Sequence, residues 1–238
     1  MAARTNLPRI GVYGPDCSTP RERHGCGLWP AGIAASLTAA EAEPVVIADS
    51  NGRSWDDLLE GLQGMVISGY DIAPRHKPAD FEALCHWCKE HKLPLLAVDH
   101  GMHGLNAAFG GTMFFDLPRD LPEALQHRHP PERGLRHAIN VIPDTKLAEL
   151  YGEGEVVVNS EHRRAVQRVA RGFRIGANAL DGVIESIEAA EFFGWFAMGV
   201  QWQPASATAS GLDIQLFRGL IDACVNRETA ELREYAAA

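Results

Sequence analysis

The sequence predicts an α/β fold, a mostly parallel central sheet flanked by helices with antiparallel additions, in a single domain over residues 1–238. Three observations predict it. From Arg9 to Phe109, short apolar runs alternate with helix-length amphipathic segments, the texture of parallel strands joined by crossover helices. After Gly111 the runs shorten and are separated by Gly, Asp or Asn turns, which suits antiparallel strands. Between the two regimes, Leu93 to Gly111 reads as a buried strand that stops at a charged residue, Asp99, and passes at once into a helix.

Arg9 to Tyr13 reads as the first strand, followed by a long loop from Gly14 to Gly27 that carries Arg21, Arg23 and His24. Trp29 to Ala40 is a small-residue-rich helix, Pro44 to Ala48 a strand, Trp55 to Leu62 a helix and Met65 to Ile67 a strand whose carboxyl end turns through Ser68 to Pro74. Pro78 opens a helix where proline fits, with Asp80 and Glu82 favouring the dipole in its first turn. Cys85 and Cys88 lie inside that helix beside Leu84 and Trp87; a buried face accounts for them, because no second pair completes a zinc site.

Leu93 to Val98 is apolar enough for a fully buried strand, so an acid at its mouth is an odd choice for packing. The carboxyl ends of strands are where open α/β sheets hold ligands. Met102, Leu105, Ala108 and Phe109 share one helical face after it, and Gly110 and Gly111 end the helix. Thr112 to Phe115 reads as a short strand and Leu121 to Leu125 as a brief helix within the charged stretch Pro118 to Pro131. His137 to Val141, Glu155 to Asn159, Phe173 to Ala177, Val183 to Ile187 and Phe196 to Gln201 are strands, and Leu212 to Tyr235 is an amphipathic helix that docks on the sheet.

Composition narrows the function classes. At 238 residues, 46% hydrophobic and 22% charged, the chain buries a sizeable core. A net charge of -9 with no compensating Lys/Arg cluster argues against a nucleic-acid surface, and no apolar run approaches a membrane span. Five cysteines are an odd number for a disulfide framework, and the start has no apolar segment of signal-peptide length. The expectation is a reducing, cytoplasmic compartment, with a small-molecule substrate or ligand as partner.

Five blocks then occur in a telling order: Asp71-Ile72-Ala73-Pro74, Ala97-Val98-Asp99-His100-Gly101-Met102-His103, Gly110-Gly111-Thr112-Met113-Phe114-Phe115-Asp116-Leu117, Val158-Asn159-Ser160-Glu161-His162-Arg163-Arg164, and Gly199-Val200-Gln201-Trp202-Gln203-Pro204-Ala205. Together, over nearly the whole chain, they resemble the class I glutamine amidotransferase fold and, within it, the gamma-glutamyl-gamma-aminobutyrate hydrolase (peptidase C26) branch. Many proteins of that fold assemble as dimers, so the resemblance admits a homodimer, although the sequence does not set the oligomeric state. No cofactor is expected.

The departures fall on the chemistry. Where the family has an elbow cysteine, a late histidine and a glutamate, this chain has Asp99, Gln203 and Ala205. Thiol chemistry needs a sulfur nucleophile, a base and an orienting acid, so cysteine-dependent glutamine hydrolysis is excluded at these positions. The turn at Ser68, Gly69, Tyr70 and Asp71 is one glycine short of the family's oxyanion-binding turn, and the resemblance makes Gly69, Tyr70 and Asp71 substrate-binding positions. Elbow positions become His100 and His103, and Arg163 and Arg164 follow the retained His162.

Asp99 is therefore the expected centre, as general base, nucleophile or anchor for a cationic group. His100 and His162 are the candidates for activating water, and Gln203 either orients a carbonyl or water through its amide or makes a structural bond to the turn at Tyr70 or Asp71. His103 joins the pocket, and Arg163 and Arg164 either clamp a substrate carboxylate or continue a solvated charge run through Arg168 and Arg171. Asp99, His100, His103 and His162 are metal-capable, but no zinc-type spacing joins them and the expectation is no metal. Two functional classes follow: a repurposed hydrolase or lyase on a small amide, ester or amino-acid-derived substrate, or a non-catalytic relative that binds a small metabolite or a partner protein.

Overall fold

The structure, a computed structural model, describes residues 7–14, 29–47, 53–69, 78–128 and 135–237. The loop read from Gly14 to Gly27 lies outside the described residues apart from Gly14, and so do Tyr70 and Asp71.

Strands β1 (Arg9–Tyr13), β2 (Glu43–Ile47), β3 (Gly64–Gly69) and β4 (Leu95–Asp99) alternate with helices α1 (Trp29–Ala39), α2 (Trp55–Leu59), α3 (Pro78–Glu90) and α4 (His100–Ala108). Next come β5 (Thr112–Phe114), α5 (Leu117–Asp120), β6 (Arg136–Val141), α6 (Lys146–Tyr151), β7 (Gly154–Asn159), β8 (Ala165–Arg168), β9 (Phe173–Ala179), β10 (Ile184–Ala189), β11 (Ala197–Val200) and α7 (Ile214–Ala237).

Among the described residues the strands form one sheet in the order β2-β1-β3-β4-β11-β10-β9-β6-β7, with β8 paired to β10 and β5 to β8. From β2 to β11 the pairings are parallel; from β11 outward they are antiparallel. The mixed sheet with its antiparallel additions is thus as the sequence predicts.

Strand alternation builds two apolar layers. Val66, Leu96 and Val98 face α1 and α7, meeting Ile33, Leu37, Phe217 and Leu220. Met65, Ile67, Leu95 and Ala97 face the other way, onto Leu84, Cys85, Cys88, Met102 and Leu105 of α3 and α4. Covering on both sides explains why β3 and β4 read as unbroken apolar runs.

Two local readings differ from what forms. The helix expected at Leu121 to Leu125 lies earlier, at Leu117–Asp120. Pro118 sits in its first turn, where a missing N–H costs nothing, and the Asp120 carboxylate accepts the Phe115 and Asp116 N–H groups at 3.0 Å. Ala165–Arg168, which looks like part of a charge run, is strand β8, with Ala165 and Val166 buried.

Candidate functional site

Strand β4 hands over to α4 without an intervening loop, and Asp99 takes the whole turn at φ 52° and ψ -112°. This backbone region suits glycine; a side chain there persists only where its surroundings impose it. The close approach depends on Gly101, whose added Cβ would lie 2.2 Å from the Ile67 carbonyl oxygen. The sharp strand-to-helix bend is the geometry that lifts a reactive side chain to the end of a sheet.

Asp99 is 2% exposed. Its Oδ1 accepts a hydrogen bond from Gln201 Nε2 at 2.8 Å, and Gln201 Oε1 lies 2.8 Å from His103 Nε2. Since an amide oxygen only accepts, His103 Nε2 carries the proton, and the reverse amide orientation would set two acceptors against each other. Gln201 thus links two residues predicted for the site, although its place in the sequence points to no such role. His100 opens α4, its ring centroid 5.2 Å from that of His103, and Gly69 packs against its Cβ.

Gln203 is buried and held by its backbone. Its N–H donates to Asn159 Oδ1 at 2.9 Å and its carbonyl accepts from Asn159 Nδ2 at 3.0 Å, pinning the segment after β11 to the end of β7. Exposed Arg163 forms an ion pair with Asp116 at 2.8 Å. Arg164 offers its carbonyl oxygen to His162 Nδ1 at 2.9 Å.

His162 belongs to a second constellation. Glu185, on β10, is wholly buried, and its Oε1 lies 3.3 Å from His127 Nδ1, 3.5 Å from His137 Nε2 and 3.3 Å from His162 Nε2. The ligand-capable atoms of these four residues all lie within 4.8 Å of one another. His127 comes from the irregular segment after α5, His137 from β6 and His162 from the turn after β7.

The cluster is braced from outside. The His127 carbonyl accepts from Ser160 Oγ at 2.7 Å and from the His162 N–H at 3.2 Å. Its ring Nε2 donates to Asp181 Oδ2 at 2.9 Å, an oxygen that also takes the Leu125 N–H at 2.7 Å. Burial pushes the Glu185 carboxyl up, but His162, His127 and His137 outweigh it and hold it at about 2. Burial pushes His127 down, and the Glu185 and Asp181 carboxylates more than offset this; for His137 burial prevails and lowers it.

Local spacing could not reveal this cluster, since its members come from four separate segments. The one signal was a glutamate in the middle of the apolar run Val183 to Ile187. A cavity of about 300 Å³ opens beside it, lined by His127, His162, Arg128, Arg163, Leu117 and Leu121 among others. Asp99 does not line this cavity.

These features define a class I glutamine amidotransferase-like protein with no cysteine in its apparent catalytic cluster. The solved structure of a candidate GMP synthase component from Thermoplasma acidophilum superposes with a TM-score of 0.69 at 16% identity, covering 95% of this chain and 98% of its own. The peptidase C26 family model matches residues 81–205, and the chain belongs to that family. It is similar to a gamma-glutamyl-gamma-aminobutyrate hydrolase of Escherichia coli, at 31% identity over 250 residues, 92% of this chain and 94% of the relative. A candidate glutamine amidotransferase of Mycobacterium tuberculosis is 30% identical over 218 residues, 83% of this chain and 68% of the relative. Among the described residues no helix is long and apolar enough to cross a membrane.

Proposed function

We propose that the protein is a thiol-free hydrolase or lyase acting on a small amide, ester or amino-acid-derived substrate, with Asp99 as general base or nucleophile. The observation that carries this reading is the backbone of Asp99: φ 52° on a residue with a side chain, at the bend between the central strand and its helix. The Gln201 hydrogen bond is one use of the carboxylate, and the backbone strain that its side chain brings supports a chemical use beside it. The similar Escherichia coli protein is named as a hydrolase of a gamma-glutamyl amide, which supports a small amide as the substrate class.

The residues divide the work as follows. Gln201 presents its N–H to Asp99 and orients the carboxylate. His100, next in the chain, exchanges protons with a group bound at the bend. His162 and Arg163 line the neighbouring cavity, where Arg163 offers a guanidinium to a substrate carboxylate. Gln203 and Gly69 serve substrate binding, with Tyr70 and Asp71 assigned to it by the family resemblance alone, and His103 and Arg164 support it. No step passes through sulfur.

A second reading, binding of a small metabolite without turnover, is favoured by the burial of Asp99 and by the Gln201 amide on its Oδ1. One experiment separates the two. Purified parent protein and Asp99→Asn are incubated with a metabolite extract, and conversion is followed by mass spectrometry, with circular dichroism confirming that both are folded. Conversion by the parent that is lost in Asp99→Asn is the expected result. Equal conversion by both would remove Asp99 from the chemistry, and retention of a metabolite without conversion by either would establish the binding reading.

A further inference from the structure

We infer that His127, His137, His162 and Glu185 form a site for one divalent transition-metal ion of the zinc class, which clamps the wall of the cavity to the antiparallel half of the sheet. The inference stands whether or not Asp99 performs chemistry.

The first argument is polar satisfaction. Neither oxygen of the wholly buried Glu185 carboxylate accepts a hydrogen bond, and His127 Nδ1, His137 Nε2 and His162 Nε2 face it without making one. A buried carboxylate left in that state is costly, and groups of this kind are paired or coordinate a metal.

The second is tautomer geometry. The other nitrogen of each ring is already committed to an oxygen: His127 Nε2 to Asp181 at 2.9 Å, His162 Nδ1 to the Arg164 carbonyl at 2.9 Å, and His137 Nδ1 to the Ala138 carbonyl at 3.2 Å. These oxygens only accept, so the outer nitrogens carry protons, and in the neutral rings the inner nitrogens present lone pairs. Inner lone pairs and the carboxylate repel one another unless protons or a metal cation lie among them, and one divalent cation serves all four groups at once. Outer bonds from imidazole to carboxylate or carbonyl are also the arrangement that orients metal-binding histidines.

Distance is the third. Hydrogen bonds from N–H to oxygen fall at about 2.7–3.2 Å, whereas the three contacts to Glu185 Oε1 measure 3.3, 3.5 and 3.3 Å. Ligand atoms about 2.0–2.1 Å from a tetrahedral zinc ion lie about 3.3 Å from one another. Three imidazoles with one carboxylate suit zinc and its neighbours better than magnesium or calcium, which prefer all-oxygen shells. Four protein ligands close the tetrahedron, so the ion holds structure and leaves no position for water activation. What it holds is the segment carrying His127, which has no strand or helix of its own, against β6, β10 and the turn after β7.

The test uses the full chain with any affinity tag removed, because tag histidines bind the same ions. Protein stripped with dipicolinate is titrated with Co2+ while its visible d–d absorption is recorded. The expected result is saturation at a single equivalent with the intensity of a tetrahedral nitrogen and oxygen site, displaced by Zn2+. His137→Ala weakens Co2+ binding by at least the roughly 10–100-fold that loss of an outer-shell partner alone costs. His86→Ala, which alters an exposed histidine outside the cluster, binds as the parent does. Where His137→Ala fails to fold by circular dichroism, Glu185→Gln takes its place, since it keeps the side chain's shape and removes its charge. A folded parent that takes up no Co2+, or a folded ligand variant that binds as tightly as the parent, overturns the proposal. Activity is not the readout, so the elbow chemistry can fail while the metal site stands, and the reverse.

Discussion

The backbone N–H of Gln201 donates to the Glu185 carbonyl at 2.8 Å, so the residue that holds the elbow carboxylate and the residue at the middle of the histidine cluster lie side by side. The register of β10 with β11 continues from Ser186 and Val200 to this pair, and that of β11 with β4 continues from Val200 and Val98 to Gln201 and Asp99. Glu185, Gln201 and Asp99 therefore occupy one row across three neighbouring strands. Residues opposite each other in paired strands project to the same face, which puts all three on the α4 side of the sheet. The elbow and the cluster are parts of one polar strip laid across the strand ends.

That relationship separates a side-chain role from a backbone role at Gln201. Gln201→Leu removes the amide between Asp99 and His103 but keeps the N–H that reaches Glu185. The expected cost is about 1–3 kcal/mol in urea unfolding, the range for breaking buried hydrogen bonds while their partners stay in place. Any turnover that needs Asp99 falls with it. Metal uptake stays at the parent value, because no cluster ligand is touched. Loss of metal in a folded Gln201→Leu protein would show that the two halves of the strip communicate through the side chain.

The parallel half of this fold was legible for a plain physical reason. Strands covered on both faces are apolar where they are covered, so the runs at 10–13 and 95–98 stand out, and Pro78 marks the start of α3 at the residue where it begins. The antiparallel half was legible in outline only. Helix α6 spans Lys146–Tyr151, too short for periodicity to declare, and its clearest sign is Thr145, whose hydroxyl accepts the Ala148 N–H. The bend at Asp99 was visible because an acid ends an apolar run. Gln201 and the histidine cluster were not, since strand pairing and a long irregular segment bring their members together and no local spacing records that.

Cys85 and Cys88 give a prediction about pH. Burial, with a smaller contribution from the Glu82 charge, pushes the Cys85 thiol up to about 12, and burial together with Cys85 raises Cys88 well above its ordinary value. A raised thiol pKa means that the reactive thiolate appears only as the pH climbs toward that value. At pH 8 the Cys85 thiolate is about one part in ten thousand. Iodoacetamide at pH 8 should therefore leave both residues unmodified in peptide mapping of the native protein and modify both in urea. Fast native labelling of either thiol would contradict the packing of α3 against the sheet.

The backbone of Asp99 makes a prediction that runs against the usual ranking of residues. Glycine ordinarily weakens a folded chain relative to alanine, because it has more freedom to lose. At φ 52° and ψ -112° the order should reverse, since only the residue with a Cβ is strained there. Asp99→Gly and Asp99→Ala both lack the carboxylate and its bond to Gln201, so comparing the two isolates the backbone. The glycine variant should be the more stable by about 1–3 kcal/mol in urea unfolding, with neither variant turning over substrate. Equal stability would mean that the bend relaxes once the carboxylate is gone. In that case the Gln201 hydrogen bond, and not the handover from β4 to α4, imposes the strained conformation, and the elbow is held from β11.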